Sequence, residues 1–453
     1  MSAALRSGVV PAYILLCLVL GGSAQGAVGN AVLQLAGIAI IAWSLLMRPA
    51  GPMPRAAKSL LVLAGLVVLL LVLQLIPLPP AIWTLLPGRA FVAEGFALLG
   101  QPLPWLPLSL TPYDTLATAL TLLAPIAVLY GMLQAGAYRP AWLALAILLG
   151  SLAAVLLGAL QVGSANPYTS PWYFYERTNH GSATGFFANS NHMAALLVIS
   201  IPMLSALVRD LRDRAGNPKA KSAALMLAFA GAMVLFVGIL LNGSLAVLLL
   251  GPLVVAMSGS MLLPERMKLR VPLAVVGILS VLAMLGVYLS PLNDRLAENN
   301  STSFSARQTM WSNTVPAIAD QLPLGSGVGS FPELYPRYED QQAVTRTFAN
   351  HAHNDYLEIA LEAGIPGLIL LACFMAWWAI RTRSIWRSRL TDRYAQGATI
   401  ATAALLLHSI VDFPLRTAAL SAIMAACLAI MAQPRSRDED APEDLWPTRH
   451  ESV

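Results

Sequence analysis

The amino-acid sequence contains apolar stretches of about twenty residues at intervals along most of its length. Residues 60–76, 223–241 and 245–263 are clear examples, and none of the three contains a charged side chain. A helix of that length crosses a hydrocarbon core of roughly 30 Å. Because lipid offers the backbone no hydrogen-bond partners, a segment buried in lipid must satisfy its own peptide groups. The sequence therefore predicts an all-α polytopic membrane protein.

The composition agrees with a membrane protein and argues against two other classes. Hydrophobic residues make up 57% of the chain and charged residues only 11%, whereas charged residues are about 25% of a typical soluble domain. The net charge of +5 does not indicate a nucleic-acid partner, because the basic residues are spread over short loops. All three cysteines, Cys17, Cys373 and Cys427, lie in apolar stretches, which leaves no disulfide framework or CxxC metal knuckle.

We predict about twelve transmembrane helices, and the basic residues orient them. The expected spans are residues 9–25, 28–47, 59–76, 113–135, 141–162, 191–208, 222–241, 244–263, 269–290, 364–380, 396–412 and 415–432. Lysine and arginine concentrate in alternate loops, such as 48–58, 209–221 and 381–395, which the positive-inside rule places in the cytoplasm. An even number of spans puts both termini on that same side.

The loops on the opposite, external side contain no lysine, and three of them are long. They cover residues 77–112, 163–190 and 291–352. The third lies between the ninth and tenth spans, and its aromatic residues favour an ordered, partly helical segment. We therefore expect one membrane domain, residues 1–432, followed by a polar tail at 433–453 that is disordered and cytoplasmic.

The chemistry is expected in the segment HAHNDYLEIALEAGIPG, residues 351–367. His351 and His353 are side chains that exchange protons near neutral pH. Asn354 is a helix cap, and the helix that follows places three carboxylates on one face by their spacing of three and four residues: Asp355, Glu358 and Glu362.

Two other interpretations of this segment remain open. An HxH pair beside carboxylates is also a zinc arrangement, which would suit a membrane metallohydrolase, although this spacing alone is weak support. The same residues could instead only cap helices and bind water at the membrane surface. A transporter of lipid-linked saccharide is a third class, but it would place ionisable residues near the bilayer midplane, whereas here they gather at one face.

Four segments together resemble the O-antigen ligase and polymerase superfamily. HAHNDYLEIALEAGIPG is similar to the signature in which histidine and asparagine precede an acidic residue and two glycines. SARQTMWSNTVPAIADQLPLGSGVGSF, residues 305–331, resembles the arginine-x-x-x-tryptophan helix with its glycine-rich turn. TGFFANSNHMAAL (184–196) and LHSIVDFPLR (407–416) are similar to two further segments, so that the resemblance extends over most of residues 113–432.

The resemblance implies a GT-C-like fold and a metal-independent, inverting glycosyltransferase without a cofactor. Such enzymes take a glycan from an undecaprenyl pyrophosphate carrier at the periplasmic face of the bacterial inner membrane. The acceptor is lipid A core, a growing polysaccharide or, in protein O-oligosaccharyltransferases, a protein hydroxyl. The external loops would then be periplasmic, and the donor, the acceptor and the bilayer would be the partners.

The resemblance also implies roles for individual residues. His353 matches the family's histidine and is the expected general base, with His351 and Glu362 supporting it. Arg307 is expected to bind the leaving diphosphate, because a guanidinium group can grip its oxygens in bidentate fashion. Further substrate-binding candidates are Arg416, Arg177, Asn354, Asn189, Asn191, His192, His408 and Asp412.

Some of these candidates also have a purely structural interpretation. His408 and Asp412 are one helical turn apart and could simply pair with each other. Asn189, Asn191 and His192 could cap the following span instead of binding sugar hydroxyls. The sequence also departs from the family, because Leu245 or its neighbour stands where many relatives carry an arginine. Arg416 is the hypothetical replacement for that missing charge.

Overall fold

The structure is a computed structural model that describes residues 2–47, 52–262, 292–340, 342, 349–388 and 392–433, with the backbone alone for 292–304. The described chain is almost entirely helical. Its only sheet there is an antiparallel pair of two-residue strands, β1 (Pro77–Leu78) and β2 (Leu106–Pro107). The predicted ninth span, 269–290, and the predicted tail after residue 433 lie outside the described residues.

The helices are as follows in chain order. The first half contains α1 (Ala3–Leu20), α2 (Ala27–Leu46), α3 (Arg55–Leu75), α4 (Pro80–Trp83), α5 (Ala90–Leu98), α6 (Pro112–Thr121), α7 (Leu123–Leu133) and α8 (Pro140–Val162). The second half contains α9 (Ser190–Arg214), α10 (Pro218–Asn242), α11 (Leu245–Ser260), α12 (Leu292–Gln321), α13 (Phe331–Leu334), α14 (Asp355–Arg387), α15 (Arg393–His408) and α16 (Ala418–Ala432). Short 3-10 turns cover Pro167–Thr169, Tyr335–Arg337 and Pro414–Arg416.

Eight helices among the described residues are long and apolar enough to cross a membrane. They are Ala3–Leu20, Ala27–Leu46, Arg55–Leu75, Pro112–Leu133, Pro140–Val162, Ser190–Arg214, Pro218–Asn242 and Asp355–Arg387. Two shorter apolar helices, Leu245–Ser260 and Ala418–Ala432, coincide with further predicted spans. The prediction of a helical multi-pass membrane protein is therefore confirmed, while the number twelve stays a prediction.

Helix α9 lies at the centre of the bundle and packs against α8, α10, α11 and α15. Small residues allow the inner helices to approach one another closely. Gly397 of α15 is an example, because a Cβ atom at this position would lie 3.0 Å from the carbonyl oxygen of Pro202. Helix α16 is rich in alanine and almost wholly buried. The inner helices thus form a tight frame, while α3 and α10 keep most of their apolar surface exposed.

A break in α14 positions the external part of the chain. Gly364 has a φ of 56° and interrupts the helix, as the EAGIPG sequence predicts. The glycine-rich turn after α12 docks into this break, where the Ile365 amide donates to the Pro323 carbonyl oxygen at 2.8 Å. Gly325 comes so close that a Cβ atom there would lie 2.6 Å from the Glu362 carbonyl oxygen. Both segments therefore require glycine for steric reasons.

Two buried side chains fasten the first long external loop to this unit. Gln74, at the end of α3, donates to the Glu362 carbonyl oxygen at 3.0 Å and accepts from the Val328 amide at 3.0 Å. Arg89 donates to the Gln321 side chain at 2.7 Å. Arg89 is buried, so this arginine in a loop that is predicted to be external has a structural task. The loop, the glycine-rich turn and the break in α14 thereby form one body.

Candidate active site

The His351–Asn354 segment is held from two sides. Trp311 of α12 donates its indole N–H to the Ala352 carbonyl oxygen at 3.0 Å, and the Ala352 amide donates to Glu358 Oε2 at 3.0 Å. Asn354 caps α14, since its side-chain oxygen accepts from the amides of Tyr356 and Leu357. The capping role expected of Asn354 is confirmed, and these bonds fix the backbone on both sides of His353.

His353 forms a pair with Asp412. His353 Nδ1 lies 3.2 Å from Asp412 Oδ1, and the backbone φ of His353 is 50°, in the left-handed region that residues with a Cβ atom rarely adopt. The His353 side chain is 23% exposed, whereas that of Asp412 is 1% exposed. With Nδ1 directed to the carboxylate, Nε2 is the ring nitrogen left for a substrate.

Asp412 lies just beyond the end of α15 and stays ionised. Burial by itself raises the pKa of Asp412, but the hydrogen bond and charge of His353, together with His192 and His408, lower this pKa well below its usual range. The Phe413 amide also donates to Asp412 Oδ1 at 2.9 Å. Asp412 is therefore a fixed negative charge behind His353.

Phe413 brings three histidines together. Its ring centroid lies 4.2 Å from that of His351, 4.9 Å from that of His353 and 5.0 Å from that of His192. His192 is in the first turn of α9 and is buried. Sequence reasoning did not single out Phe413, although it lies beside Asp412 in the segment that resembles the family.

The three carboxylates at the start of α14 surround one guanidinium group. Arg416 Nη1 lies 3.0 Å from Glu358 Oε1, Nη2 lies 3.2 Å from Glu362 Oε2, and Nε lies 3.3 Å from Asp355 Oδ1. All three acidic side chains are buried, and they share one helix face as their spacing predicts. Burial alone lowers the pKa of Arg416, but the three carboxylates outweigh this and raise it.

His351 connects this acidic cluster to the histidines. Its Nδ1 lies 2.8 Å from Glu358 Oε1. Asp355 is held in turn by Ser409, whose hydroxyl donates to its side chain at 2.7 Å, and Glu362 accepts from the Phe331 amide at 3.2 Å. Each of these side chains therefore has an assigned partner that keeps it in place.

Residues 230–372 match the family model described as O-antigen ligase. This part of the chain is similar to the O-antigen ligase family. This confirms the resemblance stated from the sequence and indicates a membrane enzyme that transfers glycans. The matched range contains Arg307, His351, His353 and Glu362. A comparison with curated proteins gave no match.

Arg307 lies on α12, within the residues that match the O-antigen ligase family model. It precedes Trp311 by four residues, which is about one helical turn. Its charge is close enough to His408 for the two groups to interact electrostatically. No carboxylate of the described part of the chain lies within ion-pair distance of Arg307, in contrast to Arg416. No three His, Cys, Asp or Glu residues among those described are arranged to hold a metal ion.

Other candidates lie apart from the histidines or have structural contacts. Arg177 is exposed in the loop after α8, where its backbone bonds to Gln25. Asn189 caps α9 by accepting from the Asn191 amide at 2.9 Å. His408 Nε2 lies 3.9 Å from Asp412 Oδ2, so these two residues do face each other. For Asn189 the structure thus agrees with the capping interpretation.

The turn that departs from the family pattern is fixed by amide side chains. Asn191 accepts from the Ser244 hydroxyl at 2.8 Å. Asn242 donates to the carbonyl oxygens of Ala183 and Ser190 at 2.7 and 2.8 Å. Leu245 opens α11 next to these bonds. Each of the three guanidinium nitrogens of Arg416 contacts a carboxylate. The replacement of the missing arginine by Arg416 stays a hypothesis.

Proposed function

We propose that this protein is an inverting glycosyltransferase that moves a glycan from undecaprenyl pyrophosphate to an acceptor hydroxyl at the periplasmic face. The observation that carries the proposal is the contact between His353 Nδ1 and Asp412 Oδ1 at 3.2 Å, with the cationic Arg307 on the neighbouring helix. A partly exposed base and a cation with no carboxylate of the described residues within ion-pair distance suit a displacement at an anomeric carbon.

His353 acts as the general base in this proposal. Nε2 accepts the proton of the acceptor hydroxyl as its oxygen attacks the anomeric carbon. Asp412 fixes the tautomer with the proton on Nδ1 and stabilises the imidazolium ion that forms. The positive φ of His353 is maintained because Ala352 and Asn354 are bonded on either side. The base is thereby held rigidly relative to the membrane domain.

Arg307 stabilises the leaving group. The bond between the anomeric carbon and the phosphate oxygen breaks as the new glycosidic bond forms on the opposite face of the sugar, which inverts the configuration. The electron pair stays on the diphosphate, where negative charge increases. A guanidinium group donates two parallel hydrogen bonds to such oxygens. The chemistry therefore needs neither a metal ion nor a cofactor.

Arg416 and its carboxylates support the base instead of binding the donor. The cluster anchors the first turns of α14 and, through Glu358, the position of His351. This assignment replaces the hypothesis that Arg416 contacts the diphosphate. Glu362 and His351 keep the supporting roles expected from the sequence.

The decisive experiment is reconstitution of the full-length protein in liposomes with an undecaprenyl pyrophosphate-linked oligosaccharide. Lipid A core, an oligosaccharide repeat unit and a serine-containing acceptor peptide are offered separately, and glycosylated product and released lipid diphosphate are measured. We expect stoichiometric transfer to one acceptor class. Movement of the donor across the bilayer without any product would contradict the proposal and favour a transporter.

A further inference from the structure

The second carboxylate oxygen of Asp412 has a neighbour of its own. Oδ1 contacts His353 and the Phe413 amide, whereas Oδ2 lies 3.9 Å from His408 Nε2. Both Oδ2 and His408 Nε2 are buried, and neither atom has a hydrogen-bond partner among the described residues. Asp412 therefore stands between two imidazole rings, one half-exposed and one buried.

Sharing of this carboxylate has a consequence for catalysis. An aspartate that serves one histidine alone favours the imidazolium form of that histidine, because opposite charges attract. A general base must be unprotonated before it can act. With a proton on His408 Nε2, 3.9 Å from Oδ2, the second imidazole would draw part of the carboxylate charge away from His353. This partial neutralisation makes the free base of His353 available at lower pH.

Other charged and titratable groups lie near Asp412 and the two imidazole rings. His192 of α9 and His353 itself interact electrostatically with Asp412. Arg307 of α12 faces His408 and adds positive potential on that side. His351 is on the other side of the Phe413 ring and is paired with Glu358.

We infer that His408 is a positioning residue for the proposed glycosyl transfer, which shares Asp412 with His353 and sets the pH at which His353 becomes a free base. The inference rests on the proposed function. His408 is only 2% exposed and therefore does not contact the substrate. Its effect passes entirely through the Asp412 carboxylate.

The test measures His353 directly, without donor or acceptor. The full-length protein in nanodiscs is treated with diethyl pyrocarbonate, which modifies unprotonated imidazole, over a range of pH, and the His353 peptide is quantified by mass spectrometry. In His408→Leu we expect the pH midpoint of His353 modification to rise by about one unit. His408→Gln retains an N–H donor near the position of Nε2 and should keep the midpoint near that of the wild type.

His180→Leu is the matched control. This histidine lies in the loop after α8, where its ring nitrogens face the carbonyl oxygens of Pro167 and Glu176, and its removal should leave the His353 midpoint unchanged. An unchanged or lowered midpoint in His408→Leu would overturn the inference. If that variant does not fold, His408→Phe, which keeps a ring of similar size, gives the same comparison.

Activity separates the inference from the proposed function. In the transfer assay the acid limb of the pH profile of kcat/KM should move upward in His408→Leu by the same amount as the modification midpoint. If the wild type transferred no glycan from any donor, this result would contradict the proposed function. The difference between His408→Leu and His408→Gln in the pH midpoint of His353 modification would still be measurable. That difference tests the sharing of Asp412 independently of glycan transfer.

Discussion

At the scale of single residues, two arginines of the site that are equivalent candidates in the sequence have different surroundings in the structure. Arg416 is surrounded by three buried carboxylates, whereas Arg307 is half-buried on α12 and has no described carboxylate within ion-pair distance. An ion pair that is already satisfied in a buried site has little capacity for a further anion. We therefore expect Arg307 to bind the diphosphate and Arg416 to stabilise the segment.

Replacement of His353 tests the base. We expect His353→Ala to lower the transfer rate by about 10²–10⁴-fold, because a general base contributes about this much. The yield of folded protein should stay normal, since the side chain is partly exposed. His180→Ala is the control, because His180 lies in a separate loop. A transfer rate near that of the wild type in His353→Ala would show that His353 is not the general base.

Replacement of Arg307 tests the grip on the diphosphate. Arg307→Lys keeps the charge but loses the planar fork, so we expect kcat/KM to fall by about tenfold or more. Arg177→Lys, at an exposed external arginine away from the histidines, should leave the rate unchanged. Equal rates in Arg307→Lys and the wild type would reduce Arg307 to a structural residue.

Replacement of Arg416 should affect stability first. Arg416→Ala leaves three buried carboxylates without their cation, and breaking a buried pair in this way costs about 3–5 kcal/mol. We expect a clear decrease in the thermal unfolding temperature of the detergent-solubilised protein. A variant with the Tm of the wild type and no transfer activity would restore the hypothesis that Arg416 binds substrate.

At the scale of elements, the site depends on two irregular segments that interlock. The glycine-rich turn after α12 and the broken first part of α14 meet largely through backbone atoms. Regular helices could not supply this contact, because their polar backbone groups are used internally. The interlock connects the helix that carries Arg307 to the helix that begins beside His353.

A substitution in the glycine-rich turn tests this interlock. Gly325→Ala places a Cβ atom against the Glu362 carbonyl oxygen at a residue with a φ of 82°. We expect a loss of stability of about 1–2 kcal/mol or more from the backbone conformation and the clash, together with a lower transfer rate. Gly95→Ala in α5, where a Cβ atom meets nothing within 4 Å, is the matched control and should behave as the wild type. Equal stability of the two variants would show that the contact is not needed.

At the scale of the whole molecule, the distribution of charged residues predicts the orientation of the protein in the membrane. The acidic cluster and four of the histidines lie at one end of the bundle, and the lysine-containing segments lie in the loops predicted to be cytoplasmic. Since lysine and arginine are retained on the cytoplasmic side during insertion, the catalytic end should face the periplasm.

Labelling of single cysteines tests this orientation. In a variant with Cys17, Cys373 and Cys427 replaced by alanine, Tyr168→Cys should react with a membrane-impermeant thiol reagent applied to spheroplasts. Lys219→Cys should react only after the membrane is permeabilised. Both positions are exposed, so access to the side chain does not limit the reaction. The opposite pattern would place the site in the cytoplasm and contradict the proposed function.

The sequence by itself determined the helical membrane class, the family and the segment that contains the two histidines. These features are local, because apolar length, the spacing of Asp355, Glu358 and Glu362, and the glycines around the break in α14 can be read along the chain. The approximate span boundaries also agree with the described helices, apart from the predicted ninth span, which lies outside them.

Only the tertiary structure decided which side chains face one another. Asp412 comes to His353 from 59 positions further along the chain, and Arg416 comes to Glu358 from a different helix end. Phe413 joins three histidines that come from two segments. The physical reason is that burial makes an unpaired charge costly, so that the partner of each charged group depends on which other groups share its dry environment. Spacing along a single chain does not contain that information.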